Sequence, residues 1–457
     1  MNTRVSWPLI LLAAVELLLL IAAFGASTLL FNDWQGIADP FSAIGQRSVA
    51  IAVLVVLMLY AMGLYAWHVA KSYLDLLVRI LLALALAFAL YVLFAYAFGV
   101  LTLPFSAIAP GLSVSFIALA LVHDAFLRIA DLAHLKTHVL VLGTGTNAKR
   151  LEALENRGRA SRYRIAAFID IEDGENAVLP ERIVASPGDL VDYVRRMGVD
   201  EIVLAPQDRR GSLPLESLVA VRLSGVPVTP YASFCERAEG AVPLEELKPS
   251  WFFEGTGFRT GSWHMAGKRV IDVTASLTLL ALTFPILALT AFAIKLESPG
   301  PVFYTQRRVG QLDRPFTLYK FRSMRNDAER AGQVQWASQN DARVTRVGRI
   351  IRKSRIDEIP QALNVLKGEM SFVGPRPERP EFVELLAKEI PFYRERHCVK
   401  PGITGWAQLN YPYGASVEDA RRKLAYDLFY IKHFTLMFDL SVALQTVRVV
   451  IWNAGAR

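Results

Sequence analysis

Asp357 and Glu358 stand side by side, a common pattern on protein surfaces, but their neighbourhood is uncommon. Upstream, Arg346, Arg349, Arg352, Lys353 and Arg355 recur at spacings of three and four, which lines one side of a helix with positive charge. No acid lies between Asp341 and Asp357, so the stripe has no local counter-ions. Its anions must come from outside, as substrate phosphates, lipid headgroups or both. Pro360 follows the two acids. Proline is tolerated in a helix's first turn and disfavours helical geometry in the residue before it. The spacing therefore predicts the carboxylates at a helix start or in the turn before it, where free N–H groups and the helix dipole favour anions. One carboxylate of such a pair can attack phosphorus or bind Mg²⁺, while the other binds metal or moves a proton. By itself the dipeptide reads as solvated surface, and only its surroundings argue otherwise. In Gly374-Pro-Arg-Pro377 two prolines hold the backbone around Arg376, which either pre-organises that arginine for bidentate phosphate contact or makes a rigid turn. A strand-like stretch ends in Arg307-Arg308, and a second, Phe316–Met324, alternates basic and apolar positions through Lys320 and Arg322. The candidate phosphate or nucleotide contacts are thus Arg308, Lys320, Arg322, Arg352, Arg355 and Arg376.

Elements at a membrane must position these groups. The chain has 457 residues, 53% apolar and 20% charged, and most apolar residues fall in a few long uncharged runs. That excludes collagen-like, disordered and disulfide-scaffold classes and reads as a membrane protein with water-facing domains. Two cysteines, Cys235 and Cys398, make no disulfide framework and fit a reducing compartment. The net charge of +8 fits nucleic acid, lipid headgroups or a phosphorylated substrate. Helix-turn-helix, zinc and RNA-stacking signatures are missing, so no nucleic-acid partner is expected.

Residues 1–125 predict a four-helix transmembrane unit, with apolar runs at 7–31, 48–67, 78–99 and 104–122. Lys71, Arg79, Arg128 and Lys136 place both ends of that unit on the cytoplasmic side by the positive-inside rule. Glu16 lies inside the first run; the plainer reading has it bonded to a neighbour in the bundle interior. Residues 137–245 alternate strands and helices, which predicts a Rossmann-like parallel α/β domain. There Gly143 and Gly145 form a candidate nucleotide loop with Asp170 at the end of the next strand, although Ala148 replaces the third glycine, which leaves the domain either nucleotide-binding or a degenerate structural or regulatory one. A catalytic domain follows at 266–457. Its apolar run 273–294 is long enough to cross, but Pro285 lies near its middle and basic residues flank both ends. The segment after it also carries more Lys and Arg than Asp and Glu. A plain crossing would put that basic domain outside, so a re-entrant helix broken at Pro285 is expected. The whole is a membrane α-helical bundle plus α/β domains, multi-pass, with the candidate chemistry on the cytoplasmic face.

From Lys268 onward the chain resembles the bacterial sugar transferases, the monotopic polyprenyl-phosphate hexose-1-phosphate transferases. The resemblance is carried by Lys268-Arg269-xx-Asp272, the Pro285-containing run, Ser298-Pro-Gly-Pro301, Gln306-Arg-Arg-Val-Gly310 and Tyr319-Lys-Phe-Arg-Ser-Met324. It continues through Arg355-Ile-Asp-Glu-Ile-Pro-Gln361, Asn364-Val-Leu-Lys-Gly-Glu-Met-Ser371, Val373-Gly-Pro-Arg-Pro377 and Lys400-Pro-Gly-Ile-Thr-Gly-Trp406. The whole chain is similar to the long members, which place four transmembrane helices and a Rossmann-like domain first; some serve exopolysaccharide synthesis. The resemblance implies transfer of a sugar 1-phosphate from a UDP-sugar to undecaprenyl phosphate with Mg²⁺, releasing UMP. It implies Asp357 as the nucleophile, Glu358 assisting through Mg²⁺ or positioning, and Arg376 on substrate phosphate or nucleotide. Both acids are the expected metal ligands. Ile356 and Ile359 replace more usual leucines, a volume-conserving change. Which hexose is moved, and whether copies of the chain associate, stay open. Rival readings are a membrane-anchored nucleotide-binding regulator and a nucleic-acid-binding membrane protein.

Overall fold

The computed structural model describes residues 7–31, 40–65, 73–98, 105–130, 136–156, 163–171, 176–206, 213–253, 257–258, 261–325, 343–411, 414 and 416–451. Two compact units divide the chain, Thr3–Gly240 and Ala241–Arg457.

The first unit opens with helices α1 (Trp7–Phe31), α2 (Pro40–Ala61), α3 (Tyr73–Phe98) and α4 (Phe105–Ala130). Pro8–Phe31, Tyr73–Ala95 and Ser106–Phe126 are each long and apolar enough to cross a membrane, and Gly45–Ala61 is a shorter apolar stretch. Helix α1 packs on α2 and α4, and α3 on α2 and α4, while side chains such as Leu18, Leu74 and Leu121 stay exposed on the outside. Glu16 has the neighbours that the plainer reading asks for. The Tyr65 hydroxyl donates to it, and His123 Nδ1 lies 2.9 Å from Oε1.

Five parallel strands follow: β1 (Thr137–Leu142), β2 (Tyr163–Ile169), β3 (Ile183–Val184), β4 (Glu201–Leu204) and β5 (Val228–Pro230), in the order β3-β2-β1-β4-β5. Helices α5 (Thr146–Glu155), α6 (Leu190–Arg196), α7 (Leu215–Leu223) and α8 (Tyr231–Glu239) cover it. The apolar run in β1 explains why both faces are covered. Val139 and Val141 pack with residues of α5 and α8, while Leu140 and Leu142 pack with residues of α6 and α7.

The second unit begins earlier than the expected boundary at 266. Val242 N donates to Ala425 O, and Val242, Leu244, Leu247 and Trp251 join the core of the unit. Helix α9 (Ser262–Glu297) leads to the hairpin β6 (Phe303–Val309) and β7 (Pro315–Phe321), then α10 (Arg346–Lys353). A 3-10 turn, Ile356–Gln361, runs directly into α11 (Ala362–Lys367). Strand β8 (Ser371–Val373) pairs in parallel with β9 (Gly402–Thr404). Between them lie α12 (Pro380–Glu389) and the 3-10 turn Tyr393–Cys398; α13 (Trp406–Asn410), α14 (Val417–His433) and α15 (Leu436–Ile451) complete the unit. Pro285 sits inside an uninterrupted α9, so the expected break does not divide the run into two helices. A proline removes one backbone donor, which kinks a helix more readily than it ends one.

Candidate active site

Helix α10 is fastened at its start: the Thr345 side chain caps Gly348 N, and Glu297 at the end of α9 accepts from Arg346 N at 2.6 Å and Val347 N at 3.1 Å. A carboxylate there complements the positive end of the helix. At the other end Arg355 adopts left-handed geometry, φ 60°, ψ 12°, which stops α10 and redirects the chain into the 3-10 turn bearing the dyad. Strain of this kind at a non-glycine residue is held only where the surroundings over-determine it. Asp357 and Glu358 lie in the first turn, as their placement before Pro360 predicts, and both are buried.

Their environments differ. Glu358 Oε1 takes Arg376 Nη2 at 2.7 Å and Lys320 Nζ at 3.0 Å, and Oε2 stands 3.6 Å from Arg355 Nη1. Although burial opposes its charge, Arg376, Lys320 and Arg355 together hold its carboxyl well below the usual range. Burial, reinforced by the neighbouring Glu358 charge, instead pushes the Asp357 carboxyl up to about 6 against the pull of Lys320, Arg352 and Arg355. One acid is a committed counter-ion; the other keeps a basic, desolvated carboxylate. Burial lowers the Lys320 ammonium, which Glu358 partly restores. Arg308 donates to Pro377 O at 3.0 Å and lies 3.7 Å from Glu378, so it braces the Pro-Arg-Pro loop, with its Nε buried and unbonded.

Of the expected phosphate contacts, Arg376, Arg355 and Lys320 touch Glu358, Arg352 lies within electrostatic reach of Asp357, and Arg308 stands behind Arg376. Arg322 departs from that expectation. It donates to Ser298 O at 2.8 Å, Ser298 Oγ at 2.9 Å and Pro299 O at 3.0 Å, just past the end of α9. Helix C-termini leave carbonyls unpaired and negative, and a buried guanidinium satisfies them. Gly143, Gly145 and Asp170 belong to the first unit, apart from the dyad residues in sequence and in unit. Gly143 has φ +114°, and a Cβ there would meet the Ala205 carbonyl at 2.9 Å, so backbone packing alone requires glycine. Thr144 Oγ1 reaches Asp170 Oδ1 at 3.4 Å.

Several positioning residues have no role assigned from sequence, although Lys268, Asp272 and Asn364 stand in the segments that carry the resemblance. Arg396 donates to the Arg376 carbonyl at 3.0 Å while its Nη2 and Nε hold Asp427 at 2.7 and 3.0 Å, all buried behind the Pro-Arg-Pro loop. Asn364, fully buried, accepts from Tyr319 N at 3.1 Å and donates to Thr317 O at 2.7 Å, which fixes β7, and so Lys320, against α11. Lys268 donates to Asp439 at 2.6 Å and Val373 O at 3.1 Å, and Asp272 accepts from Ser371 Oγ and Phe372 N at 2.9 Å. Those bonds tie α9 to β8, the strand that leads into Gly374. Gly374 and Gly402 pack backbone to backbone, and a Cβ on Gly402 would lie 2.1 Å from Gly374 N.

Residues 263–453 match the bacterial sugar transferase family. Over 190 residues the chain is 50% identical to the UDP-N-acetylgalactosamine-undecaprenyl-phosphate N-acetylgalactosaminephosphotransferase of Aeromonas hydrophila, covering 42% of this chain and 45% of that one. Over 333 residues it is 34% identical to the undecaprenyl-phosphate glucose phosphotransferase of Komagataeibacter xylinus, covering 70% of this chain and 60% of that one. Over 185 residues it is 40% identical to the exopolysaccharide production protein PSS of Rhizobium leguminosarum bv. phaseoli, covering 39% of this chain and 92% of that one. The chain therefore belongs to the bacterial sugar transferase family. It spans about half the length of the first two relatives.

Proposed function

We propose that this chain transfers a sugar 1-phosphate from a UDP-hexose to undecaprenyl phosphate, giving undecaprenyl-diphosphate-sugar and UMP at the cytoplasmic face of the inner membrane. The observation that carries the reading is the division of labour in the dyad. Glu358 is bound by Lys320, Arg376 and Arg355, whereas the Asp357 carboxylate accepts no hydrogen bond among the described residues. A buried, unsolvated carboxylate is the better nucleophile, and the cations around its neighbour suit a diphosphate. In this reading an Asp357 oxygen attacks the sugar-bearing phosphorus, the phosphorus–oxygen bond to UMP breaks, and UMP leaves. A phosphate oxygen of undecaprenyl phosphate then attacks the same phosphorus and releases the carboxylate. Two anions thus never face each other unshielded. Relatives named as undecaprenyl-phosphate sugar phosphotransferases support this chemistry.

The residues fit magnesium in a substrate-assisted form. Among the described residues no cluster of three or more His, Cys, Asp or Glu could hold a metal, so a cage built from protein alone is not available. Mg²⁺ is commonly held by one or two carboxylates plus substrate phosphates. Asp357 and Glu358, through its less engaged Oε2, would hold it with the diphosphate. The ion would supply charge neutralisation on the phosphates.

Helix α9 supports a re-entrant attachment. Lys268, Asp272 and Ser276 are buried near one end and Thr290 and Ile294 near the other, with no buried residue between. Both ends pack on the same unit: Arg269 donates to Val365 O and Leu366 O, and Ile294 packs with Phe321 and Ile351. A helix that simply crossed would leave one end on the far side of the bilayer.

Full-length protein in phospholipid with Mg²⁺ and undecaprenyl phosphate should release UMP from one of a panel of UDP-sugars, and Asp357→Asn should abolish release while leaving the fold intact. Wild-type rates in that variant would reject the nucleophile.

A further inference from the structure

Helix α10 divides the basic stripe in two. Arg352 lies within electrostatic reach of Asp357, and Arg355 stands 3.6 Å from Glu358. Arg346, Arg349 and Lys353 are exposed instead and pair with no acid among the described residues. Packing fixes that rotation. Gly348 and Ile351 are buried, and a Cβ on Gly348 would lie 2.0 Å from the Ser323 carbonyl oxygen, so the helix is pressed backbone to backbone on that side. With about 3.6 residues per turn, the opposite side carries Arg346, Arg349, Ile350 and Lys353. Ile350, in the middle of these cations, is 67% exposed.

The same packing sets the depth of that face. Ile351 packs with Ile294, and Val347 joins Leu287 and Ala291 in the same cluster, so α10 lies along the last turns of the apolar stretch of α9. On those turns Leu289, Phe292 and Leu296 stay exposed, the surface expected of a helix in hydrocarbon. Glu297 ends α9 and caps the start of α10, so the two helices meet where the apolar stretch stops. Lipid phosphates begin at that level, just outside the hydrocarbon. A soluble phosphate has no use for an exposed isoleucine among the cations. A helix lying in a headgroup layer does, because its cations meet phosphates while the apolar side chain dips between them. We propose that this face of α10 docks on the headgroups of anionic phospholipids in the leaflet that α9 enters, and so holds the adjoining dyad turn at the membrane surface. The proposal rests on the membrane attachment of α9 proposed above and is independent of the transfer reaction.

Fluorescence of the full chain in nanodiscs tests it, with an environment-sensitive NBD probe on Ile350→Cys in a Cys398→Ser background. Its emission should move to the blue as phosphatidylglycerol replaces phosphatidylcholine, and added salt should reverse the move. A cation near an anionic surface contributes about fivefold to partitioning, so Arg349→Gln should need about five times as much phosphatidylglycerol for half the shift. Arg349→Lys should match the parent protein, and joint replacement of Arg346, Arg349 and Lys353 by Gln should abolish the shift. Emission that ignores lipid charge, or a triple variant that still responds, would overturn the proposal. So would an equal shift caused by inorganic phosphate in neutral discs, which would make the face a soluble-phosphate site. A second probe, on Phe292→Cys, should report hydrocarbon in both lipids. Water-like emission there would reject the membrane attachment of α9 and the docking with it. Hydrocarbon there with an unresponsive probe at 350 rejects the docking alone.

Discussion

Asp357 and Glu358 show how two adjacent carboxylates acquire different jobs from their surroundings. The Asp357 carboxyl stands near 6 instead of 3.8, because burial and the Glu358 charge oppose its ionisation. In the proposed reaction Asp357 attacks as its carboxylate, so turnover should rise with pH through about 6 and be lost below it. Folding runs the other way: ionised Asp357 costs stability above pH 6, and the cost is relieved as the group takes up its proton below that value. In Glu358→Gln the repelling charge is gone and Lys320 loses its counter-ion, so the acid limb of the residual rate should move to lower pH. An initial-rate profile in which that limb stays put would remove Glu358 as a cause. Behind the loop, Asp427→Ala would strand the buried Arg396 guanidinium and should cost about 3–5 kcal/mol, read by urea unfolding. At this scale the cations Lys320, Arg355 and Arg376 are legible as a group that must meet anions, and in the structure the anion they meet is Glu358. Arg322 is not: alternation along β7 does not distinguish a phosphate from the carbonyls at the end of α9. Arg396 and Asp427 give no warning at all, since their pairing depends on a contact 31 residues apart.

Among the elements, the parallel sheet is readable because β1 is apolar on both faces, and the turn before Pro360 because proline restricts its neighbour. Strand β3, two residues long, leaves no pattern to read. The Ala241–Phe253 stretch joins the second unit through Val242, Leu244 and Trp251, which reach its core singly and show no strand or helix period. Asn364 is the joint between elements that matters most for Lys320. Replacing it with Ala would remove the bonds to Tyr319 N and Thr317 O at the partly exposed edge of β7, a cost of about 0.5–1.5 kcal/mol for each hydrogen bond lost. The melting temperature should fall, and KM for the UDP-sugar should rise more than kcat falls, because in the proposed site β7 brings Lys320 to the substrate phosphates while Asp357 sits on the separate 3-10 turn. A variant that melts earlier with unchanged KM would make Asn364 purely structural.

Across the whole molecule, α9 joins two solvents. Its apolar composition is the same for a helix that crosses and one that returns; Pro285 and the basic charge on either side favour a return in sequence, and the contacts at the two ends bear on the same choice. Lys268, Arg269 and Asp272 fasten the first end to β8, α11 and α15, and Ile294 and Glu297 fasten the last to β7 and α10. Drawing either end through the bilayer would strand the buried Lys268–Asp439 pair or the capped start of α10, a cost comparable to the stability of a domain. Both ends should therefore lie on one side. Trp263, 92% exposed, and Leu296, 71% exposed, are suitable cysteine positions, in a background with the exposed Cys398 replaced by serine and Cys235 left buried. An impermeant maleimide should label neither Trp263→Cys nor Leu296→Cys in intact cells and both in inside-out vesicles. Labelling of one position in cells and the other in vesicles would mean that α9 crosses. The basic domain would then lie across the membrane from the start of α9, and the proposed transfer at the cytoplasmic face would fall with it.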